Sequence, residues 1–305
     1  MERTLKWGVP PVRRGLPSDA PALADRVVQQ LQRSREFEPL LSATVRRREL
    51  STALTHAIAD TWVDESGGTL HGHLCARLLE DSSGELTAYS GPDAVSFESV
   101  GVLAHLLTQA QPSWRVRGAL RHSVWTSLED YRAWTGLGYE PVAVSLAREW
   151  MPHTRVTPPH DVSVRPALTS DLPVLRELDH EIDRAQGEEF DDSAEERLRE
   201  LLEDPEVTYL VATLRDEVVA QVVTWDLGEL VGYPRHTLHV SDLAVRREAR
   251  RLGVATYLIS ESVRRHPHPV RLVEARSRVS NTGAVAFWNR LGCRTLFVQV
   301  ERALD

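Results

Sequence analysis

The sequence predicts an α/β fold class, with a mixed α+β sheet in each of two tandem domains. Strand-like and helix-like segments alternate along the chain, a pattern typical of mixed α/β architectures. The length of 305 residues suits two domains of about 150 residues each. A short internal repeat marks the start and the end of both halves, which indicates that one whole domain was duplicated.

The repeat consists of two groups of residues that occur in the same order in each half. They are Val12-Arg13, Leu16, Ser18-Asp19, Pro21, Trp134, Leu137 and Gly138 in the first half, and Val164-Arg165, Leu168, Ser170-Asp171, Pro173, Trp288, Leu291 and Gly292 in the second. We therefore predict a first domain over residues 1–150, a linker over 151–160 and a second domain over 161–305. The linker segment is rich in proline and has no helical or strand period.

Hydrophobic periodicity and turn residues define the elements of both halves in order. In the first half we predict a strand at Val12, helices over 20–33 and 45–59, a hairpin of strands 61–64 and 69–79 around Gly67-Gly68, a strand over 85–95, a helix over 99–110, a strand over 116–125, a helix over 128–137 and a strand over 142–147. In the second half we predict a strand over 162–165, helices over 172–181 and 193–202, a hairpin of strands 207–214 and 218–226, a strand over 237–245, a helix over 253–265, a strand over 270–277, a helix over 282–291 and a strand over 295–300.

The stretch from His239 to Ile259 carries the strongest chemical signal. It begins as an apolar strand that ends at Val245 and continues, after a loop, as a helix. The start of that helix has small residues at Gly253 and Ala255, which let backbone N–H groups approach an anion closely. Free amides, the positive end of a helix dipole and flanking arginines together favour binding of a diphosphate.

Two blocks of residues resemble motifs of the GNAT superfamily of N-acetyltransferases. Arg250, Gly253 and Ala255, which follow a strand in an Arg-x-x-Gly-x-Ala pattern, resemble its acyl-coenzyme A motif. The second block resembles the last conserved helix of the family and consists of Asn281, Ala284, Phe287, Trp288, Leu291 and Gly292. Both blocks in this order are more specific than either alone.

The resemblance implies a tandem GNAT protein whose splayed sheet holds its cofactor between two strands. The implied activity is acyl transfer, in which the acetyl group of acetyl-CoA, or of another acyl-CoA, moves to a primary amine of a small molecule by direct attack in a ternary complex. The resemblance also implies the residues that bind the cofactor. The pantetheine arm would pair with the central strand, the diphosphate would bind the helix start, and an asparagine amide would contact the pantetheine; the full set is Leu243, Ala244, Val245, Arg250, Arg251, Leu252, Gly253, Val254, Ala255, Thr256 and Asn281.

Asp242 is the first choice for the base that removes a proton from the amine, because it lies on the central strand beside the predicted pantetheine site. His239 is the alternative, since an imidazole accepts a proton at neutral pH. Strand alternation places these two side chains on opposite faces unless a bulge intervenes. Glu274 on the next strand is a third candidate, and each of the three also fits a structural role. Trp288 occupies the position where many relatives carry a tyrosine; an indole does not transfer a proton at neutral pH, so we interpret Trp288 as a core aromatic.

The first half lacks the anion-binding pattern. An alignment of residues 90–93 with 245–248 puts Val95, Glu98 and Val100 at the positions of Arg250, Gly253 and Ala255. A carboxylate there would repel phosphate oxygens. We therefore expect a degenerate GNAT-like domain that does not bind coenzyme A and that packs against the second domain or lines the acceptor cleft.

Composition excludes several classes of function. The apolar content of 42% and the charged content of 26% are those of a globular protein, and the net charge of −8 argues against a nucleic-acid partner. No apolar run is long enough to span a membrane and the amino terminus lacks the core of a signal peptide, so we expect no membrane partner and a cytoplasmic location. Two cysteines do not indicate a disulfide framework, and no ligand spacing predicts a metal site.

The segment from Glu177 to Glu206 is strongly acidic, and most of it is expected to be a solvated helix face. The resemblance places this segment beside the acceptor site. A cluster around Phe190 would then attract a cationic amine such as a polyamine or an aminoglycoside; its members are Glu188, Glu189, Asp191 and Asp192. A protein that binds acyl-CoA, or keeps the fold for interaction, without turnover is the alternative function. The sequence does not specify the acceptor, the acyl chain length or the oligomeric state.

Overall fold

A computed structural model describes residues 12–42, 46–80, 84–151, 156–187, 194–228 and 230–304 of the chain. The chain divides into two compact units. Unit 1 comprises residues 1–142 together with 297–305, and unit 2 comprises residues 143–296.

Unit 1 contains helices packed on two short sheets. Its elements are β1 (Val12–Arg14), α1 (Ala20–Phe37), α2 (Arg47–His56), β2 (Thr61–Ser66), β3 (Thr69–Cys75), β4 (Arg77–Glu80), β5 (Leu86–Ser90), β6 (Val95–Phe97), α3 (Val100–Val116), β7 (Ala119–Ser127) and α4 (Tyr131–Gly136). One sheet has the strand order β1-β2-β3-β6, with all pairs antiparallel. In the other sheet β5 pairs with β4 in antiparallel fashion and with β7 in parallel fashion.

Two strands that the sequence predicts as continuous are each broken in unit 1. The predictions of single strands over 69–79 and 85–95 are wrong, because β3 and β4 separate at Ala76 and β5 and β6 separate at residues 91–94. The second break is a turn in which the Ala94 N–H donates to the Gly91 carbonyl, while the Cys75 N–H donates to the Ala94 carbonyl. The breaks let the two ends of each strand join different sheets.

Unit 2 is a six-stranded mixed sheet with helices on both faces. Its elements are β8 (Glu140–Glu149), β9 (Val162–Pro166), α5 (Leu172–Gln186), α6 (Ala194–Glu203), β10 (Thr208–Leu214), β11 (Glu217–Asp226), β12 (Thr237–Val245), α7 (Val254–Arg265), β13 (Leu272–Arg278) and α8 (Thr282–Arg290). The strand order is β8-β13-β12-β11-β10-β9, and only β12 and β13 are parallel. The last strand of the chain, β14 (Arg294–Ala303), belongs mostly to unit 1.

The two halves of the sequence exchange their last strands between the compact units. Strand β8, from the first half, pairs with β13 of unit 2, and β14, from the second half, pairs with β7 of unit 1. The compact units therefore have different bounds from the predicted domains 1–150 and 161–305, since the units divide within β8, after Val142, and residues 297–305 belong to unit 1. The local sequence pattern does not predict this exchange, because β8 and β14 can each form the antiparallel hydrogen bonds that β7 or β13 offers.

The repeated residues at the start of each half build the same helix start twice. Arg13 donates two hydrogen bonds to Asp19, at 2.7 and 3.0 Å, and Arg165 donates two to Asp171, at 2.6 and 2.9 Å. Each aspartate also accepts a backbone N–H at the head of the turn that precedes α1 or α5. Each aspartate therefore joins the strand arginine to the backbone of the turn just ahead of the helix.

The sheet of unit 2 separates two apolar layers. On one face, α7 buries Val254, Leu258 and Ile259 against sheet residues that include Val222 and Val240. On the other face, a smaller layer joins α5 and α6 to the sheet; its buried members are Leu172, Leu175, Leu198, Tyr209, Val211 and Val223. Among the helices that the structure describes, none is both long and apolar enough to cross a bilayer.

Candidate functional site

A β-bulge interrupts the central strand β12. Val223 of β11 lies opposite Asp242, but Thr224 lies opposite Val240, so Ser241 is an extra residue without a counterpart. A bulge of this kind bends the strand and reverses the alternation of the side chains beyond it. The parallel ladder between β12 and β13 ends at the same place, with the pair of Val240 and Ala275.

The bulge brings Asp242 and His239 to the same face of the sheet. Residues directly opposite each other in an antiparallel pair project to one side, and Asp242 lies opposite Val223 while His239 lies opposite Trp225. Val223 and Trp225 both pack in the layer under α5 and α6. Without Ser241 as an extra residue, the two candidate bases would lie on opposite faces.

A groove of about 490 Å³ lies along the last three residues of β12, Leu243 to Val245, beyond the end of the ladder with β13. It is walled by the last residues of β12, the loop before α7, the first turn of α7 and one side each of α5 and α8. The lining residues are Glu181, Ile182, Ala185, Leu243, Ala244, Val245, Ala249, Arg250, Arg251, Gly253, Val254, Ala255, Thr256, Asn281, Gly283, Ala284, Phe287, Trp288 and Arg290.

Ten of the eleven residues predicted to bind the cofactor line this groove. Leu252 does not line it, and 51% of its surface is exposed. Asp242 and His239 are also outside the groove lining, at and behind the bulge. The loop before α7 therefore turns the Leu252 side chain outward while its small neighbours form the wall.

The first turn of α7 presents backbone donors to the groove. The helical hydrogen-bond ladder begins with the Tyr257 N–H, which donates to the Gly253 carbonyl at 3.0 Å, so the amides of residues 254–256 precede the ladder. Gly253 has a φ of +85° and serves as the N-cap, and Arg251 also has a positive φ of 68°. Glycine adopts this left-handed conformation without strain, which leaves the helix start open toward the groove.

Arg250 is held at the mouth of the groove by two bonds. Its Nε donates to the Val245 carbonyl at 2.8 Å, and its Nη2 donates to the Glu181 carboxylate of α5 at 2.5 Å. The side chain is about half exposed. A guanidinium in this position adds positive charge beside the helix amides.

Helix α8 closes the far side of the groove. The Asn281 side chain caps the helix, since its Oδ1 accepts the Ala284 N–H at 3.0 Å. Trp288 is 4% exposed and packs in the core of unit 2, with its ring centroid 5.0 Å from that of Phe287. The burial of Trp288 agrees with its interpretation as a core aromatic.

The acidic segment between α5 and α6 falls partly outside the described residues, which exclude Glu188, Glu189, Phe190, Asp191 and Asp192. A buried aspartate of the same acidic segment lies in the described part. Asp179 of α5 is 1% exposed and accepts a hydrogen bond from Arg197 of α6 at 2.6 Å.

The pKa of Asp179 is raised, because α5 places its carboxyl in a buried position. Burial raises the pKa of Asp179 against the opposing charge of Arg197, and the carboxylates of Asp183 and Asp242 raise it further. Sequence reasoning treated Asp179 as part of a solvated face. Its spacing from Leu175 and Leu178 was the available signal, because it puts Asp179 on the apolar side of the helix.

His239 is paired with a buried carboxylate. Its Nδ1 forms a short hydrogen bond to Glu274, which lies beside it in the parallel ladder and is fully buried. The ring of Trp225 covers the imidazole at a centroid distance of 4.8 Å. Sequence reasoning found both members of the pair but missed two hydroxyls around Glu274, those of Ser145 and Tyr233.

The corresponding part of unit 1 has no comparable loop. Only Glu98 and Ser99 connect β6 to α3, whereas residues 246–253 connect β12 to α7. Val95 lies inside β6, so the alignment that put Val95 at the position of Arg250 is wrong. The Ser99 hydroxyl accepts the Val102 N–H at 3.3 Å, which occupies one amide of the helix start.

The side chains of unit 1 also fill the space behind that helix start. Glu98 lies against Arg26 and His71, at 2.8 Å from each. A cavity of only about 20 Å³ lies between α1 and the strands, and Phe97, Trp134 and Phe297 are among its walls. Trp134 is the repeat counterpart of Trp288, and it is 1% exposed.

Comparison with known proteins agrees with this geometry. Residues 175–293, all within unit 2, match the family model described as Acetyltransferase (GNAT) family. A GCN5-related N-acetyltransferase from Sphaerobacter thermophilus is similar in structure with a TM-score of 0.61 and 18% identity, over 97% of this chain and 96% of that one. A tandem GNAT protein from the clavulanic acid biosynthesis pathway is similar with a TM-score of 0.58 and 15% identity, over 97% of this chain and 99% of that one. A search of curated proteins by sequence found no match.

The prediction of a mixed α/β chain with the tandem GNAT fold is confirmed, since both structures cover nearly the whole chain. The family model covers the segment that contains the bulge, the groove and the start of α7. Residues 175–293 thus match the GNAT acetyltransferase family model, in a chain that has the fold of tandem GNAT proteins.

Proposed function

We propose that this protein is an N-acetyltransferase that moves the acetyl group of acetyl-CoA to a primary amine of a small molecule, within unit 2. The observation that carries the proposal is the groove that runs from the open start of α7 to Leu243, the residue that follows Asp242 at the bulge in β12. A helix start with free amides binds phosphate oxygens. Residues 243–245 pair with β11 but lie beyond the end of the ladder with β13, and a strand edge of this kind binds an amide-bearing chain.

The groove offers a different chemistry at each end. At the α7 end, the amides of residues 251–256, the Arg250 guanidinium and the Thr256 hydroxyl would bind the diphosphate. Along β12, backbone groups of Leu243, Ala244 and Val245 would bind the pantetheine arm. Asn281 would contact that arm from α8. The thioester would then lie near Ser241, where β12 and β13 cease to pair.

The amine would approach from the face that carries Asp242 and His239. An ammonium is not a nucleophile, so a base must accept a proton as the nitrogen attacks the thioester carbonyl carbon. Both candidates lie on this face because of the bulge. The carboxylates of Asp179, Asp183 and Asp242 lie near one another with the Arg197 guanidinium among them, and this excess of negative charge favours a cationic acceptor. We therefore assign the acceptor to the class of small amines that carry positive charge.

Unit 1 would bind no coenzyme. Its helix start follows a two-residue connection, in which the Glu98 carboxylate lies against Arg26 and His71. Isothermal titration with coenzyme A is expected to give one site per chain. The variant Arg250→Ala, Thr256→Ala is expected to weaken that site without revealing a second one.

The decisive experiment measures release of free thiol from acetyl-CoA with a panel of small amines. Wild type should release thiol with at least one cationic amine, and Asp242→Asn or His239→Ala should lower kcat by about 100-fold. Glu98→Gln, a carboxylate change in unit 1, is the control and should leave kcat unchanged. Tight binding of coenzyme A with no thiol release for any amine would instead support a protein that binds the ligand without turnover.

A further inference from the structure

A fully buried carboxylate lies behind His239, and the described residues around it form a closed set of donors. Glu274 is 0% exposed, and it takes the short hydrogen bond from His239 on one oxygen. Its other oxygen accepts the Ser145 hydroxyl at 2.6 Å and has the Tyr233 hydroxyl at 3.4 Å. The Nε of Arg276 lies 3.5 Å from that second oxygen.

These contacts keep Glu274 ionised inside the protein. Burial acts to raise its pKa, but the hydrogen bond and charge of His239, the charge of Arg276 and the Ser145 hydroxyl together outweigh burial, and the pKa of Glu274 lies below its ordinary value. An ionised carboxylate without solvent is expensive, and a packed apolar pair would stabilise the fold at least as well. Such groups are concentrated at functional sites.

The hydrogen bond to Glu274 determines what the imidazole can do. A carboxylate only accepts, so the neutral His239 ring carries its proton on Nδ1 and its lone pair on Nε2. Nε2 is then free to take a proton. The carboxylate also stabilises the positive charge that the ring acquires when it does so.

We propose that Glu274 is a positioning residue for acetyl transfer, which holds His239 in the tautomer whose Nε2 accepts the proton of the amine, while Ser145 fixes the Glu274 carboxylate. This inference rests on the proposed function. In the step, the amine nitrogen bonds to the thioester carbonyl carbon and the carbon–sulfur bond breaks. One amine proton passes to Nε2 of His239, and coenzyme A leaves as a thiolate that takes a proton from water.

One of the donors to Glu274, Ser145, comes from the first half of the sequence. Ser145 lies on β8, which precedes the linker in the sequence but pairs with β13 inside unit 2. In that pairing Ser145 lies opposite Arg276, and Glu274 lies opposite Ala147. The first half of the chain therefore contributes a side chain to the support of the proposed base, although its own helix start lacks the anion-binding loop.

Glu274→Gln in the full chain is the direct test. The glutamine amide keeps the shape of the carboxylate but donates to Nδ1, which moves the ring proton to Nε2 and blocks proton acceptance. We expect kcat to fall by about 100-fold or more, with the KM for acetyl-CoA unchanged within about twofold. Ser145→Ala should lower kcat by a smaller factor with the same unchanged KM. Glu261→Gln, which makes the same chemical change on α7 next to Arg264, should leave kcat at its wild-type value.

A measurement without substrate separates this inference from the proposed function. Nitrogen-15 NMR of labelled histidine, assigned with His239→Gln and recorded at a pH where the ring is neutral, should show the ring proton on Nδ1 in wild type and on Nε2 in Glu274→Gln. A neutral wild-type ring with its proton on Nε2 would overturn the inference, whether or not an acceptor has been found. So would a Glu274→Gln variant that keeps kcat within threefold of an active wild type. Absence of transfer by wild type would count against the proposed function alone.

Discussion

Arg250 and Glu181 form an ion pair at the mouth of the groove, with 2.5 Å between the guanidinium Nη2 and the carboxylate Oε2. Both residues line the groove. The Glu181 carboxylate therefore already pairs with the guanidinium that the proposed diphosphate site needs. Binding of a diphosphate requires Arg250 to exchange a carboxylate for a phosphate. Glu181 therefore opposes the affinity for coenzyme A, both by competition and by its own negative charge.

Replacement of this carboxylate should tighten coenzyme binding. We expect Glu181→Gln to raise the affinity for coenzyme A by about two- to fivefold, because a solvent-exposed ion pair contributes about 0.2–1 kcal/mol. Isothermal titration at low and high salt checks the result, and the gain should shrink in high salt. Glu177→Gln is the matched control, since Glu177 pairs with Arg246 outside the groove lining. An equal gain from both changes would mean that overall charge, and not the pair with Arg250, sets the affinity.

The effect of a substitution at Gly253 should come from its positive φ and not from a lack of space for a side chain. A β-carbon at this position would meet Pro159 at 3.8 Å, an ordinary contact, but the φ of +85° disfavours any side chain. We expect Gly253→Ala to lower the free energy of unfolding by about 1–2 kcal/mol. The loop relieves this strain by moving the amides of α7, so coenzyme affinity should fall by about tenfold.

Gly136→Ala provides the comparison for that change. Gly136 ends α4, has no positive φ, and would have open space around a new β-carbon. This variant should be as stable as wild type or more so, because alanine favours helix, and its affinity for coenzyme A should be unchanged. Urea unfolding and titration give both quantities. Equal affinities for the two variants would contradict a role for the Gly253 turn in binding.

Trp288 should affect stability and not proton transfer. It is 4% exposed in the core of unit 2, and its indole is not an acid at neutral pH. Trp288→Phe should lower stability by about 1–2 kcal/mol while kcat stays within about threefold of wild type. Trp134→Phe, at the repeat position in unit 1, should show a similar loss of stability. A fall of about 100-fold in kcat for Trp288→Phe alone would identify a catalytic role.

The helix start at Asp171 should make stability depend on pH. The hydrogen bond from Arg165 outweighs burial, and with the Leu168 N–H it lowers the pKa of Asp171 below its ordinary value. A pKa that is lower in the folded state stabilises the fold above the unfolded pKa of about 3.9, and that contribution is lost as the pH falls through the folded pKa.

Asp171→Asn should therefore lower the free energy of unfolding at neutral pH by about 1–2 kcal/mol. The difference from wild type should shrink below a pH of about 4, where the carboxyl of the unfolded wild type becomes protonated, and should be lost as the pH falls through the lower pKa of the folded state. Thermal unfolding from pH 3 to pH 7 measures this. Asp216→Asn, in the exposed turn between β10 and β11, is the control, since asparagine also tolerates its positive φ. A constant difference between Asp171→Asn and wild type across this range would contradict the assigned cause.

The sequence by itself determined the elements and the chemistry that depends on neighbours in the chain. Arg250, Gly253 and Ala255 predicted the open turn of α7, because spacing within one turn defines which backbone amides are free. The strand over 237–245 was predicted at its observed bounds for the same reason, since alternation and β-prone residues are local properties.

Tertiary structure alone decided which side chains meet. The extra residue Ser241 places Asp242 on the face of His239, and a bulge depends on the register of the neighbouring strand, which no local pattern encodes. The exchange of β8 and β14 brings Ser145 to Glu274 from the other half of the sequence, because an edge of a sheet accepts any strand that offers matching hydrogen bonds. Contacts between residues far apart in the chain arise only when the sheet is assembled, so the candidate bases could be named from the sequence but their surroundings could not.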